Sequence, residues 1–308
     1  MDLIKHKHIF LGLSVSLVLM SIAAIAAFGF KEGIDLKGGT EWALKIENEQ
    51  EVTEGNVKDA IQNIVKDLNI SVKTAGEGTF IIRLKDVTEE EHQTYLTEMR
   101  KAFKQVEEVS FASIGPSIGK ELKNQALGAG LLVLLGISLY IAWAFRKVSE
   151  PVRSWKYGLT TLLTLFHDVT IPAGLLALLG KVKGIEIDTN FIVALLVVIG
   201  FSVHDTIVVF DRIRENLLDP NKKKWYIKEI INKSVQETIA RSINTSLTLV
   251  FVLITLLIWG PASLFYFVLV ILVGTIVGTY SSICVASPLI YLWAGKSQKT
   301  DPARAGSS

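Results

Sequence analysis

The chain has 308 residues, half of them hydrophobic, and a net charge of +2. A balance so near neutrality gives no electrostatic footprint for nucleic acid, and a lone cysteine, Cys284, excludes an intrachain disulfide and reads as a packing residue. The apolar fraction alone would suit a soluble domain. Its distribution does not: runs of about 20 apolar residues recur with nearly all the charge between them, matching a hydrocarbon core of ~30 Å. The sequence therefore describes a polytopic α-helical membrane protein.

Residues 1–8 form a basic stub with Lys5, Lys7, His6 and His8. Two imidazoles without carboxylate or thiolate partners make a poor metal site. The first span runs from about Ile9 to Phe28; no A-x-A-like cleavage site follows it, so it reads as an uncleaved anchor. From Lys31 to Asn124 the composition becomes that of a soluble domain. Alternation makes EWALKIEN a strand. Thr53 then caps a helix to about Leu68, with Val57, Ile61, Ile64, Val65 and Leu68 on one face. SVKTA and GTFIIRLKD follow as two strands across a turn at Gly76 and Gly78. The TEEE of Thr88–Glu91 spells a capping box that opens a helix to about Lys104, and VEEVSFASI is a last strand before Gly115-Pro116. This β-α-β-β-α-β order predicts a ferredoxin-like α+β domain inserted between the first two spans, a fold that argues no function by itself.

Five further spans are predicted, at about Gln125–Phe145, Leu159–Gly180, Asn190–Phe210, Ser242–Trp259 and Ala262–Ser287. The last continues past Pro288 toward Trp293, where an aromatic belt or a surface turn is expected. Gly274 and Gly278 form a GxxxG, extended by Ser281 and Ser282, which suits close helix packing rather than a ligand. The loops 146–158 and 211–241 are rich in Lys and Arg, which places them in the cytoplasm and outnumbers Lys181 and Lys183 on the other side. Both termini are then cytoplasmic, with 31–124 and the 181–189 loop outside. The expected organisation is a stub and first span over 1–30, an external domain over 31–124, a bundle over 125–295 and a cytoplasmic tail over 296–308.

Polar groups inside the spans are the functional candidates. His167-Asp168 lies in the third span and His204-Asp205 in the fourth, while Arg241, Asn244 and Thr245 open the fifth. Asp205 stands about six residues before the charged exit Asp211-Arg212, or roughly 9 Å deep at helical rise. Arg241 can snorkel to that level. A guanidinium favours the charged acid and desolvation the neutral one, so a small helix movement could change proton occupancy. The blander reading is a static Asp205–Arg241 ion pair pinning two helices. His167 and His204 could titrate near neutrality, and Asp211, Arg212, Arg214 and Glu215 read as a solvated salt-bridge network at the membrane boundary.

VHDTIVVFDRIRENL at 203–217 closely resembles the signature of the SecF family, and GIDLKGGT at 33–40, GPSIGKEL at 115–122, RSINTSLT at 241–248 and VGTYSSICVASPL at 277–289 are similar to SecF as well. The resemblance runs nearly end to end. It implies a six-span, RND-like half that pairs with SecD in the bacterial inner membrane. It also implies use of the proton gradient to pull preprotein out of the SecYEG channel, with no cofactor. The proton-conducting acid of the family maps to Asp205 and its essential arginine to Arg241, with another carboxylate from SecD. His167, Asp168 and His204 are secondary candidates. Two positions depart from the family pattern: His204 stands where Asn is usual, and Leu36-Lys37 where Phe-Thr is usual, which leaves the role of that turn open.

Two competing readings remain. One is half of a small-molecule or lipid exporter, against which a single external domain of about 95 residues argues. The other is a non-conducting scaffold for SecD. No P-loop, metal-ligand spacing or nucleophile–base pair suggests an enzyme.

Overall fold

The structure, a computed structural model, describes residues 2–47, 52–65, 70–76, 78–103, 105–146, 152–222 and 225–294. The expected helix ends at Leu68 and Lys104, Lys147, Lys223, Lys224 and the tail from 296 lie outside these residues. The chain divides into two compact units. One comprises Met1–Lys31, Gly128–Ile185 and Asn190–Ser308; the other comprises Glu32–Leu127 and Glu186–Thr189.

The second unit holds a short helix α2 (Ile34–Lys37), then β1 (Gly39–Glu47), α3 (Glu54–Val65), β2 (Ser71–Thr74), β3 (Thr79–Leu84), α4 (Glu89–Ala102) and β4 (Gln105–Ile114). Its four strands form one antiparallel sheet in the order β2-β3-β1-β4. Alternation decides the faces: Trp42, Leu44 and Ile46 of β1 and Phe80, Ile82 and Leu84 of β3 are buried together with Val57, Ile61, Leu96 and Met99 of the helices. The Thr88 side chain accepts from the Glu91 amide while Glu91 reaches back to the Thr88 amide, which is the expected reciprocal cap. The bulge between Ala43 and Leu44 falls on the edge pairing β1–β4, where it discourages further strand addition. The 181–189 segment contributes residues to this unit as well: Arg83 bonds both Glu41 at 2.7 Å and Glu186 at 2.8 Å.

Among the described residues six helices are long and apolar enough to cross a membrane. They are α1 (Lys7–Phe28), preceded by a 3₁₀ turn at Ile4–His6, α5 (Pro116–Ala144), α6 (Ser154–Lys183), α7 (Thr189–Leu218), α8 (Ile227–Trp259) and α9 (Phe265–Ser281). The last continues through a π-helical turn at Ser282–Ala286 into α10 (Ser287–Ala294). Large apolar side chains such as Leu13, Leu132, Phe251 and Ile258 point outward, as lipid-facing surfaces do.

Two expectations are corrected. The segment 211–241 is not a loop, because α7 stays helical to Leu218 and α8 begins at Ile227. Hydropathy marks where hydrocarbon ends, whereas a helix can continue into water on ion pairs and apolar packing. The region around Pro288 is not a surface turn either: Ser287, Pro288 and Ile290 are buried within a continuous helix. Proline removes one amide and crowds the carbonyl four residues back, and the widened π turn immediately before it absorbs that fault.

At one end of the helical unit, Tyr157 and Phe210 meet edge to face at 5.2 Å, and Leu3, Ile4, Ile213, Ile231 and Ile290 pack around them. Elsewhere α9 lies close against α7. A Cβ added at Gly274 would overlap Val198, and one added at Gly278 would stand 3.0 Å from the Ser202 Cβ. The glycine pair therefore serves helix packing, in the same register on both helices: 198 with 274, 202 with 278.

Candidate functional site

That register brings the polar residues together. One turn beyond the Gly278–Ser202 contact, α7 presents Asp205 and α9 presents Ser281 and Ser282, where the π turn begins. Asp168 arrives from α6 and is fully buried. Its Oδ2 accepts from Ser202 Oγ and, at 2.7 Å, from Ser281 Oγ, while its Oδ1 lies 2.7 Å from His167 Nδ1. His167 is itself buried; its Nε2 has no hydrogen-bond partner among the described residues, and its ring lies over Tyr280 with centroids 6.5 Å apart.

Asp205 is wired more sparsely. It is 3% exposed, and Ser282 Oγ donates to its Oδ2 at 3.3 Å. The buried Ser242 of α8 approaches the same carboxyl, and the hydroxyl of Thr206, one residue on, has no partner among the described residues. Consecutive serines thus address different acids, Ser281 binding Asp168 and Ser282 binding Asp205. Residues adjacent on a helix diverge by ~100°, so one short stretch of α9 serves carboxyls from two other helices.

Arg241 does not reach Asp205. It lies on an exposed side of α8, because its neighbour Ser242 takes the inward position. Among the described residues neither Arg241 nor Asp205 forms an ion pair, so the static-pair arrangement is absent from this chain. Asn244, Thr245 and Thr248 continue the exposed polar side of α8, and His204 is likewise exposed on α7. Sequence reasoning therefore found both acids but missed the serines that hold them; SSIC was read only as a run of small residues.

At the charged ends of α7 and α8 the expected network exists, with a hub the sequence concealed. Arg212 Nε bonds Glu237 at 2.6 Å and its Nη1 bonds Glu215 at 2.5 Å, while Asn216 donates to Glu237 at 3.0 Å. Glu237 lies 25 residues from Arg212, too far along the chain for spacing to reveal the contact. Among the described residues no cluster of His, Cys, Asp and Glu could hold a metal ion.

Comparison with known proteins identifies the family. The model of the family described as "Protein export membrane protein SecD/SecF, C-terminal" matches residues 94–296. The protein translocase subunit SecF of Thermobaculum terrenum is 38% identical over 319 residues, covering 99% of each chain. That of Anaerolinea thermophila is 33% identical, covering 95% of this chain and 94% of its own. The crystal structure of SecDF from Thermus thermophilus, titled a translocon-associated membrane protein, is 31% identical with a TM-score of 0.77. It covers 95% of this chain, which spans only 38% of the SecDF chain. With six spans and relatives matched along almost its whole length, this multi-pass membrane protein belongs to the SecF family.

Proposed function

We propose that the chain is a proton-coupled subunit of the protein-export machinery. It works with SecD beside the SecYEG channel and uses the proton gradient to draw a translocating preprotein outward late in transport. The relatives named SecF support the export role, and the SecDF protein, in which a SecF-like portion is joined to more chain, supports SecD as the partner. The observation that carries the proton reading is Asp205 itself, a carboxyl buried inside a membrane-spanning helix, held by the Ser282 hydroxyl and by no cation among the described residues. A charged carboxylate there costs several kcal/mol unless it is paired or hydrated, so its charge depends on what reaches it. The exposed side of α8 that carries Arg241, Asn244 and Thr245 suits a polar partner helix rather than lipid, and a SecD carboxylate is the natural counterpart of Arg241.

In this reading Asp205 and Arg241 lie on the proton path, with Asp168, His167 and His204 as its surroundings. Both termini are cytoplasmic, and residues 31–124 form a ferredoxin-like domain on the far side, as the strand order β2-β3-β1-β4 and the basic loops favour. The test is export in vesicles holding SecYEG, SecD and this chain under an imposed proton gradient. Asp205→Asn is expected to abolish the gradient-dependent increment while SecD still copurifies. Export at the wild-type rate would remove the proton role and leave a scaffold.

A further inference from the structure

The corner between α5 and α6 has no part in the proton path, yet it repeats one arrangement twice. α5 ends at Ala144 and α6 begins at Ser154. Phe145 stacks on Tyr157 with centroids 5.2 Å apart, and a Cβ on Gly158 would lie 2.5 Å from the Ser138 carbonyl oxygen, so the two helices touch here. Arg146 and Lys156, which flank that ring pair in the chain, therefore belong to one corner.

Arg146 Nη1 donates to the Trp143 carbonyl at 3.2 Å, and its guanidinium carbon lies 4.1 Å from the centroid of the same residue's indole. Lys156 Nζ donates to the Trp293 carbonyl at 2.8 Å and lies 5.8 Å from that indole's centroid. Each cation thus satisfies a carbonyl in the last turn of an apolar helix, α5 or α10, and rests on the ring of the residue that supplies it. Carbonyls and ring faces carry no net charge. Neither cation has a carboxylate partner among the described residues. Two positive charges are held in place with donors to spare, since an ammonium has three and a guanidinium five.

Their surroundings are aromatic and then apolar. Trp143 and Trp155 are 60% and 53% exposed; Tyr140 lies beside the first and Trp293 beside the second, each with centroids 6.2 Å apart. Exposed indoles mark the level at which hydrocarbon gives way to headgroups. From there Leu132 and Leu139 of α5 and Leu163 and Phe166 of α6 continue an exposed apolar surface away from the corner. An acidic peptide would match the charges but not the apolar surface that leads away from them. A phospholipid matches both.

We infer that the α5–α6 corner binds the headgroup of an anionic phospholipid: Arg146 and Lys156 take its phosphate, Trp143 and Trp155 border it, and the acyl chains lie along the apolar sides of α5 and α6. A zwitterionic headgroup brings a cation of its own, which two fixed positive charges repel, so the corner selects by net charge. The guanidinium suits a phosphate oxygen pair, and the ammonium adds a point charge beside it. The proton role of Asp205 is not needed for any of this.

The experiment places the full chain in nanodiscs of phosphatidylcholine with a minor fraction of phosphatidylglycerol and counts, by native mass spectrometry, the lipid that stays with the protein. Each basic residue near an anionic lipid contributes a factor of about five. The parent should therefore retain phosphatidylglycerol about 25-fold above its share of the disc. Arg146→Gln should lose about fivefold, and Arg146→Gln with Lys156→Gln should approach parity. Lys181→Gln with Lys183→Gln, at the other end of α6, should keep the parent's enrichment. Trp143→Leu retains every charge and the carbonyl but removes the ring under Arg146, and should lose severalfold.

No enrichment in the parent overturns the inference, as does equal enrichment in the variant lacking both cations. Full enrichment in Trp143→Leu also overturns it, because overall charge rather than a formed site would then set the preference. Arg146→Gln, at an exposed helix end, leaves the Lys156 bond to α10 intact and keeps the test decisive should the double variant fold poorly. Inorganic phosphate added to discs of phosphatidylcholine alone should leave the thermal midpoint of the parent unchanged, whereas phosphatidylglycerol raises it. Equal stabilisation by inorganic phosphate would make the corner a free-anion site instead. Displacement of the retained lipid on addition of SecD would assign the corner to that partner and sink the lipid reading.

Discussion

Asp168 and Asp205 each follow a histidine inside a membrane-spanning helix, and in the sequence the two dipeptides look alike. In the fold they are opposites. Asp168 has His167 on one oxygen and two serine hydroxyls on the other, with no exposure. Asp205 has a single longer hydroxyl bond, and its preceding histidine faces outward. A carboxyl with both oxygens engaged within its own chain is a structural node; one left with more capacity to spare is placed to exchange a proton or meet a cation from a partner. Burial does not separate the two acids, whereas the number of internal partners does, and the proposed function places the proton step at the one with fewer.

The sharpest way to break this contrast is to remove each acid. Asp168→Leu strips His167 of its partner and leaves the buried Ser202 hydroxyl without its acceptor, so it should destabilise the bundle by about 3–5 kcal/mol, read as loss of resistance to chemical denaturation in detergent. Asp205→Asn retains an oxygen for the Ser282 hydroxyl and should cost less than about 1 kcal/mol in the same assay. Equal losses at the two positions would dissolve the distinction. Gly274→Ala drives a methyl group into Val198 and should cost about 1–3 kcal/mol, disturbing both acids because it shifts α9 against α7. Glu237→Ala, in the half-exposed network at the ends of α7 and α8, should cost at most about 1 kcal/mol and fade further at high salt.

The smallest effect concerns the N-terminal stub. Hydrogen bonds from Lys228 and Asn232 hold the Asp2 carboxyl down at about 2. Its folded value lies below its unfolded one of about 3.9. The anchoring it provides is therefore complete above that pH, weakens below it and is lost as pH falls through about 2. Amide exchange at Ile4 and Lys5, followed from neutral to acid pH, should stay slow until that window and rise within it.

The sequence made several of these features readable and concealed others for physical reasons. Apolar runs locate the six helices because bilayer thickness sets their length, and alternation locates the four strands because side chains on a strand point to opposite faces. Helix ends beyond the hydrocarbon escaped, since nothing in hydropathy distinguishes a wet helix from a loop. Asp168 and Asp205 stood out as charges in apolar runs. Their partners did not, because Ser202, Ser281 and Ser282 become neighbours of those acids only once α6, α7 and α9 have packed. The inward place of Ser242 and outward place of Arg241 depend on the rotation of α8, which a helix of low amphipathic contrast leaves to tertiary packing.

The central proposal is that Asp205 changes its proton occupancy. Infrared difference spectroscopy of the complex with SecD, recorded on a step in pH, measures this directly through the carbonyl stretch of a protonated carboxyl. The account predicts a carboxyl band that appears and disappears with the step, is lost in Asp205→Asn and persists in Asp168→Asn. A band that survives in Asp205→Asn, or the absence of any such band in the parent, would contradict it.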